Sequence, residues 1–193
     1  MNTVLKTRFD PTAYLAWEET QYEKHEYIAG EVFAMAGARR EHVVVTLNLA
    51  AAFKQALRGT RCQAYAMDLK LWVEQVDAFY YPDVMVSCSA QDHAADQYLS
   101  QPTLIVEVLS DSTAAYDRGN KFAAYRTLES LKEYVMVDIP ARRVECYRRT
   151  PENEWLLHDY LAEALCAFSS LEVNIPLSEI FENIASLEIE LTP

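Results

Sequence analysis

Two carboxylates stand where carboxylates are costly. Glu107 interrupts the apolar run Thr103-Leu-Ile-Val-Glu-Val-Leu109, and Asp83 follows Pro82 and precedes Val84-Met85-Val86. An ionised side chain in an apolar strand must be paired, hydrogen-bonded or bound to a cation. If the two strands are neighbours, both carboxylates converge on one point. Hard oxygen ligands of this kind suit Mg²⁺ or Mn²⁺, which bind through one or two carboxylates and keep waters for a phosphate substrate. Lys121 is the third group, because a cation beside an activated water stabilises the charge that develops on a phosphodiester. On spacing alone, the preferred reading of Lys121 is plainer. It stands four residues after Asp117, and an exposed pair of that spacing contributes only about 0.3–0.5 kcal/mol.

Other polar residues read as structural. His42 opens a helix after Glu41, and a lone histidine there is more often a satisfied structural group than a catalyst. His93 and His158 have no motif context. Asp117 reads as a local cap or pair, and Ser110, with no triad partner in view, as a turn residue.

The elements that must position these groups follow from periodicity and punctuation. Asp10-Pro11-Thr12 caps a short helix ending near Glu19. Lys24 to Ile28 and Glu31 to Met35 flank Ala29-Gly30 as a β-hairpin. From Ala38 to Leu57, apolar residues recur at helical spacing before Arg58-Gly59. Alternation from Met67 to Glu74 predicts a half-buried strand, and Tyr80 to Cys88 a second, with Pro82 near its start. Ser89 to Gln101 reads as a surface loop. Thr103 to Leu109 has the composition of a central strand covered on both faces. A helix from Ser112 or Thr113 to about Leu128 and a buried strand from Glu133 to Asp138 follow, an order that calls for a right-handed crossover between parallel strands. Arg143 to Arg149, Glu154 to Tyr160 and Phe168 to Ile184 predict an antiparallel extension, with a closing helix after Pro176.

The chain has 193 residues, 51% of them hydrophobic, which suits one domain spanning residues 1–193. Its net charge of −12 repels polyanions, so a nucleic acid would have to be met by a local basic patch. Cys62, Cys88, Cys146 and Cys166 form no C-x-x-C pair, which excludes a zinc knuckle and a thioredoxin-type motif; they read as small core residues in a reducing compartment. With no signal peptide and no apolar stretch of membrane-spanning length, the expectation is a cytoplasmic protein without a membrane partner.

Several motifs together resemble a known family. Pro82-Asp83, Ile105-Val-Glu107-Val-Leu-Ser110, Asp117-Arg-Gly-Asn-Lys121, Glu133-Tyr134 and Val137-Asp138 are similar to those of the Uma-two family, within the PD-(D/E)XK or restriction-endonuclease-like nuclease superfamily. The hairpin His25-Glu26-Tyr27-Ile28-Ala29-Gly30-Glu31-Val32 and His42 also match, so the resemblance runs from about Tyr14 to Arg149. It implies an α/β (α+β) fold, a mixed β-sheet flanked by helices. It also implies Mg²⁺- or Mn²⁺-dependent cleavage of DNA phosphodiesters by a metal-activated water, without a covalent intermediate. By carry-over, Asp83 and Glu107 hold the metal, Glu26 completes or orients the site, and Lys121 takes the cationic role. Glu26 otherwise reads as a surface charge near Lys24. The superfamily's lysine two residues after the glutamate is Leu109 here, which motivates an alternative: a catalytically inactive module of the same fold that binds nucleic acid or protein. A phosphatase or nucleotide hydrolase using the same metal site is a third reading. Enzymes that cut duplex DNA often pair two sites by forming a homodimer, and no residue here marks such an interface.

Overall fold

The computed structural model describes residues 2–5 and 8–185. Asp10 caps helix α1 (Pro11–Glu18), its Oδ1 accepting from the Ala13 N–H at 2.8 Å. Strand β1 (Asn2–Leu5) lies beside β3 (Glu31–Ala34), which pairs with β2 (His25–Ile28) as the expected hairpin. Its turn needs two left-handed residues, and Ala29 and Gly30 supply them with φ of 48° and 94°. Helix α2 (Arg40–Ala56) then presents Val45, Leu49, Ala52 and Phe53 to the core.

Beyond α2 the chain breaks where periodicity reads continuity. The single strand expected from Met67 to Glu74 is β5 (Lys70–Val73), preceded by an unforeseen β4 (Gln63–Ala66); Met67, at φ 64°, turns the chain between them. The strand expected from Tyr80 to Cys88 is likewise two, β6 (Ala78–Tyr80) and β7 (Val84–Ser87). Pro82 lies between them rather than at a strand start, and the two strands belong to different sheets. The expected loop after Cys88 holds a helical turn, α3 (Ala90–His93), and a two-residue strand, β8 (Tyr98–Leu99).

Strand β9 (Leu104–Val108) is followed by α4 (Ala114–Tyr116), a π-helical turn over Asp117–Lys121 and α5 (Phe122–Tyr125). It runs parallel to β10 (Glu133–Asp138), as the crossover requires. Strands β11 (Arg143–Arg149) and β12 (Trp155–Tyr160) extend that sheet antiparallel, and β13 (Leu165–Phe168) and β14 (Val173–Pro176) form a ribbon before the closing helix α6 (Leu177–Ile180). Among the described residues the strands thus form one sheet ordered β1-β3-β2-β6-β5-β8, a mixed sheet ordered β12-β11-β10-β9-β7-β4, and the β13-β14 ribbon.

The mixed sheet is covered on both faces. Val84, Val86, Val106, Val135 and Val137 pack with α2 and the β13-β14 ribbon. Met85, Ile105, Tyr134 and Met136 pack on the other side with Tyr125 of α5 and with residues of β5 and β6. Glu107, one residue from Val106 and two from Ile105, faces this second layer.

The cysteine reading needs correction. Strands β4 and β7 are antiparallel with Gln63 opposite Ser87, so Cys62 and Cys88 come next in register; their Cα atoms are 4.0 Å apart and they form a disulfide. Closing a loop of that size constrains the unfolded chain by about 3 kcal/mol. β4 is too short to announce itself by periodicity, so the pairing is hidden in the sequence. Cys146 and Cys166 are free and buried, as expected.

Candidate active site

The antiparallel register of β7 and β9 pairs Val84 with Val106, which sets Asp83 and Glu107 opposite one another just beyond it. The geometry follows from Pro82. By ending β6 it lets the chain cross between sheets, and Asp83 then meets the end of β9: the Val108 N–H donates to Asp83 Oδ2 at 2.7 Å. The other oxygen, Oδ1, lies 2.7 Å from His42 Nε2. His42 stands one turn before Val45 and Thr46 on the buried stripe of α2.

Glu107, only 4% exposed, is met from two sides. Tyr125 donates its hydroxyl to Oε1 at 2.8 Å, and Lys121 Nζ lies 3.2 Å from the same atom. The ammonium also lies 3.0 Å from Glu26 Oε1 and 3.7 Å from Asp117 Oδ1. The exposed i,i+4 reading of Lys121 therefore has the right partner and the wrong environment. Asp117 and Lys121 are both buried, and Asp117 Oδ1 has no hydrogen-bond partner. Nor does Glu26 pair with Lys24, which reaches Asp68 instead at 3.7 Å.

These charges do not balance. Burial pushes the Glu107 carboxyl well above its usual range; Lys121 pulls it down, while Asp117, Asp83 and Glu26 add to the rise. Burial raises Asp117 in the same way, against the pull of Lys121. For Lys121, burial disfavours the ammonium, but Glu107, Glu26 and Asp117 outweigh it and hold its pKa well above the ordinary lysine value. For His42, burial lowers the pKa and is outweighed by the hydrogen bond and charge of Asp83, so the ring is held above its ordinary value. One buried lysine thus serves three carboxylates, and a fourth leans on a histidine.

The structure brings Glu26, Glu107 and Lys121 together, with Asp83 on the neighbouring strand. Three further participants join them, of which His42 and Asp117 read from the sequence as structural residues and Tyr125 is not singled out. His42 and Asp117 were readable as buried-face residues: His42 precedes Val45, Thr46 and Leu49 at helical spacing, and Asp117 precedes Lys121 and Tyr125. Tyr125 shows no signal beyond its place in an apolar stripe. Among the described residues, no three His, Cys, Asp or Glu side chains are already grouped as a metal-ligand set. Yet the donor chemistry suits a hard divalent cation, because the site has surplus carboxylates and a buried carboxylate oxygen without a hydrogen-bond donor.

The acidic cluster thus lies at the end of β9 in a mixed sheet flanked by helices. The family model described as "Putative restriction endonuclease", Uma2 (the Uma-two family of the sequence resemblance), matches residues 11–185, and the chain belongs to that family. Two Synechocystis sp. relatives extend along nearly its whole length. "Uncharacterized protein slr1290" is 34% identical over 178 residues, covering 92% of this chain and 94% of the relative. "Uncharacterized protein sll1609" is 34% identical over 163 residues, covering 83% and 92%. The crystal structure of "a putative nuclease belonging to DUF820" from Anabaena variabilis has the same fold, with a TM-score of 0.67 over 83% of this chain and 91% of that one, at 17% identity.

Proposed function

We propose that this protein is a divalent-metal-dependent endonuclease that hydrolyses DNA phosphodiester bonds, with Asp83 and Glu107 as metal ligands. The observation that carries this reading is the unbalanced cluster: Glu26, Glu107 and Asp117 around Lys121, with Asp83 alongside and one buried Asp117 oxygen without a hydrogen-bond partner. A bound Mg²⁺ or Mn²⁺ would offset the surplus charge and supply an activated water. The protein's own groups do the rest. Lys121 stabilises charge developing on the phosphate, and Glu26 and Asp117 hold that ammonium charged and in place. Tyr125 orients Glu107, and His42 fixes the rotamer of Asp83. Arg39 and Arg40, exposed at the start of α2 near His42, are the nearby cations a nucleic acid would meet, with Arg39 already 3.9 Å from Asp111.

The Cys62–Cys88 disulfide counts against the reducing compartment that the cysteine spacing suggested, so a cytoplasmic setting would rest on a DNA substrate alone. Among the described residues, no helix is long and apolar enough to cross a membrane. Purified protein incubated with plasmid and linear DNA in Mg²⁺ or Mn²⁺ should nick or cut it, and Asp83→Ala or Glu107→Ala should lower the rate at least 100-fold, on the order of a lost electrostatic contact at a reacting centre. Cleavage that survives both substitutions would sink the assignment.

One observation favours the inactive-module alternative: Lys121 and Tyr125 already occupy Oε1 of Glu107. Calorimetric titration separates the two, because an inert module has no need to bind Mn²⁺.

A further inference from the structure

Beside the buried acidic cluster lies a cavity of about 200 Å³ lined in part by His42 and Asp83. Its apolar wall is unusual for a surface. Met35, Val43 and Met67 line it and are 38%, 40% and 43% exposed. Three apolar side chains left partly open around one cleft give it an apolar lining. Met67 holds φ at 64°, which a side chain of its size adopts only under constraint, and its N–H donates to the Asp83 carbonyl at 3.0 Å. Met67 is thereby tied to the residue that begins the acidic site.

The cleft is not wholly apolar. Thr46, 1% exposed, lies on its wall, and its hydroxyl has no hydrogen-bond partner. Lys24 and Asp68, an ion pair at 3.7 Å, offer one donor and one acceptor among the same lining residues. Apolar faces with a few hydrogen-bonding groups at the edge describe a site for a flat heteroaromatic ring. The volume, below the roughly 300–1,000 Å³ of sites for drug-sized ligands, accommodates a single such ring system.

We propose that this cleft receives one unstacked nucleobase whose attached phosphate lies on the acidic cluster, so that the protein acts on unpaired nucleotides in single-stranded, bulged or flipped DNA. The inference rests on the nuclease reading, because Asp83 both lines the cleft and stands opposite Glu107. A base inside a duplex has its faces stacked and its edge paired, whereas an unstacked base can give its faces to Met35, Val43 and Met67. Recognition by such a pocket also gives a protein of charge −12 a hold on DNA other than phosphate attraction.

The test compares binding of fluorescent oligonucleotides of equal length, measured by anisotropy in Ca²⁺ and in EDTA: single-stranded, duplex with a one-base bulge, and fully paired. The first two should bind at least tenfold tighter than the third. Val43→Trp, which fills the cleft, should abolish the preference while calorimetric Mn²⁺ binding persists. Thr46→Val removes the unpartnered hydroxyl at constant shape and should reduce the preference several-fold; it decides the matter if the tryptophan variant does not fold. Equal binding of all three DNAs, or a preference untouched in folded variants, overturns the proposal. Cleavage of DNA without any preference leaves the nuclease reading standing and removes the cleft. A preference without Mn²⁺ binding or cleavage leaves the cleft and removes the nuclease reading.

Discussion

Glu107 and Glu133 are two buried glutamates in adjacent parallel strands, and their surroundings differ in kind. Glu133 is fully buried and its carboxylate is saturated. Oε1 accepts from Arg148 Nε at 2.8 Å and the Ser169 N–H at 3.0 Å; Oε2 accepts from the Ser170 N–H at 3.0 Å and from the Ser170 hydroxyl. One guanidinium and two backbone donors match one negative charge, tying β10 and β11 to the turn after β13. Glu107 shares its single ammonium with Glu26 and Asp117 and faces Asp83 as well. A charge buried in a strand is therefore not by itself a sign of chemistry. What separates a structural carboxylate from a candidate ligand is whether its neighbours already neutralise it.

The comparison is broken most easily at Glu133. Glu133→Ala strands a partly buried arginine and two backbone N–H groups, and should cost about 3–5 kcal/mol in urea unfolding. The same substitution should leave Mn²⁺ binding at Glu107 unaltered in protein that remains folded. Stability close to wild type would mean that Arg148 and the two serines find other partners, and the contrast between the glutamates would fail.

Lys121 gives a smaller effect of mixed character. Lys121→Met should lower stability by about 2 kcal/mol, since Glu26, Glu107 and Asp117 would then face each other without their shared cation. Unlike the loss at Glu133, this one should be largely recovered by millimolar Mn²⁺, because a bound ion takes over the neutralisation and stabilises the folded state by mass action. A thermal melt with and without the ion reads this directly. No recovery would place Lys121 with Arg148 as a structural partner.

The two glutamates are also where the sequence is least even-handed. Glu107 interrupts an apolar strand and Glu133 opens one, and each is costly when buried for the same reason. The partners that distinguish them come from far along the chain: Ser169 and Ser170 for Glu133, Glu26 and Tyr125 for Glu107. The parallel pair β9 and β10, the hairpin around Gly30 and the helix over Arg40–Ala56 were legible because apolar period and turn residues are local signals. Pro82 was legible as a proline but not as the point where the chain leaves one sheet for another, which depends on which strands lie on either side. Cys62 and Cys88 were invisible as a pair for the same reason. Lys121 shows the limit most clearly: its i,i+4 relation to Asp117 is local, but the surroundings that change its meaning include Glu26 and Glu107, which come from two separate strands.

The finest test is Glu107→Gln, which keeps the shape and an acceptor for the Tyr125 hydroxyl while removing one negative charge. A structural carboxylate such as Glu133 loses stability when made neutral, because its donors are charged or buried. Glu107 should behave in the opposite sense. With one carboxylate fewer around Lys121 and no ionised group to desolvate at that position, stability should be unchanged or raised by up to about 1 kcal/mol. Mn²⁺ affinity, read in the same preparation by calorimetry, should fall. Stability that falls by more than about 2 kcal/mol would be the signature of a saturated ion pair, and Glu107 would then belong with Glu133 as a brace of the sheet.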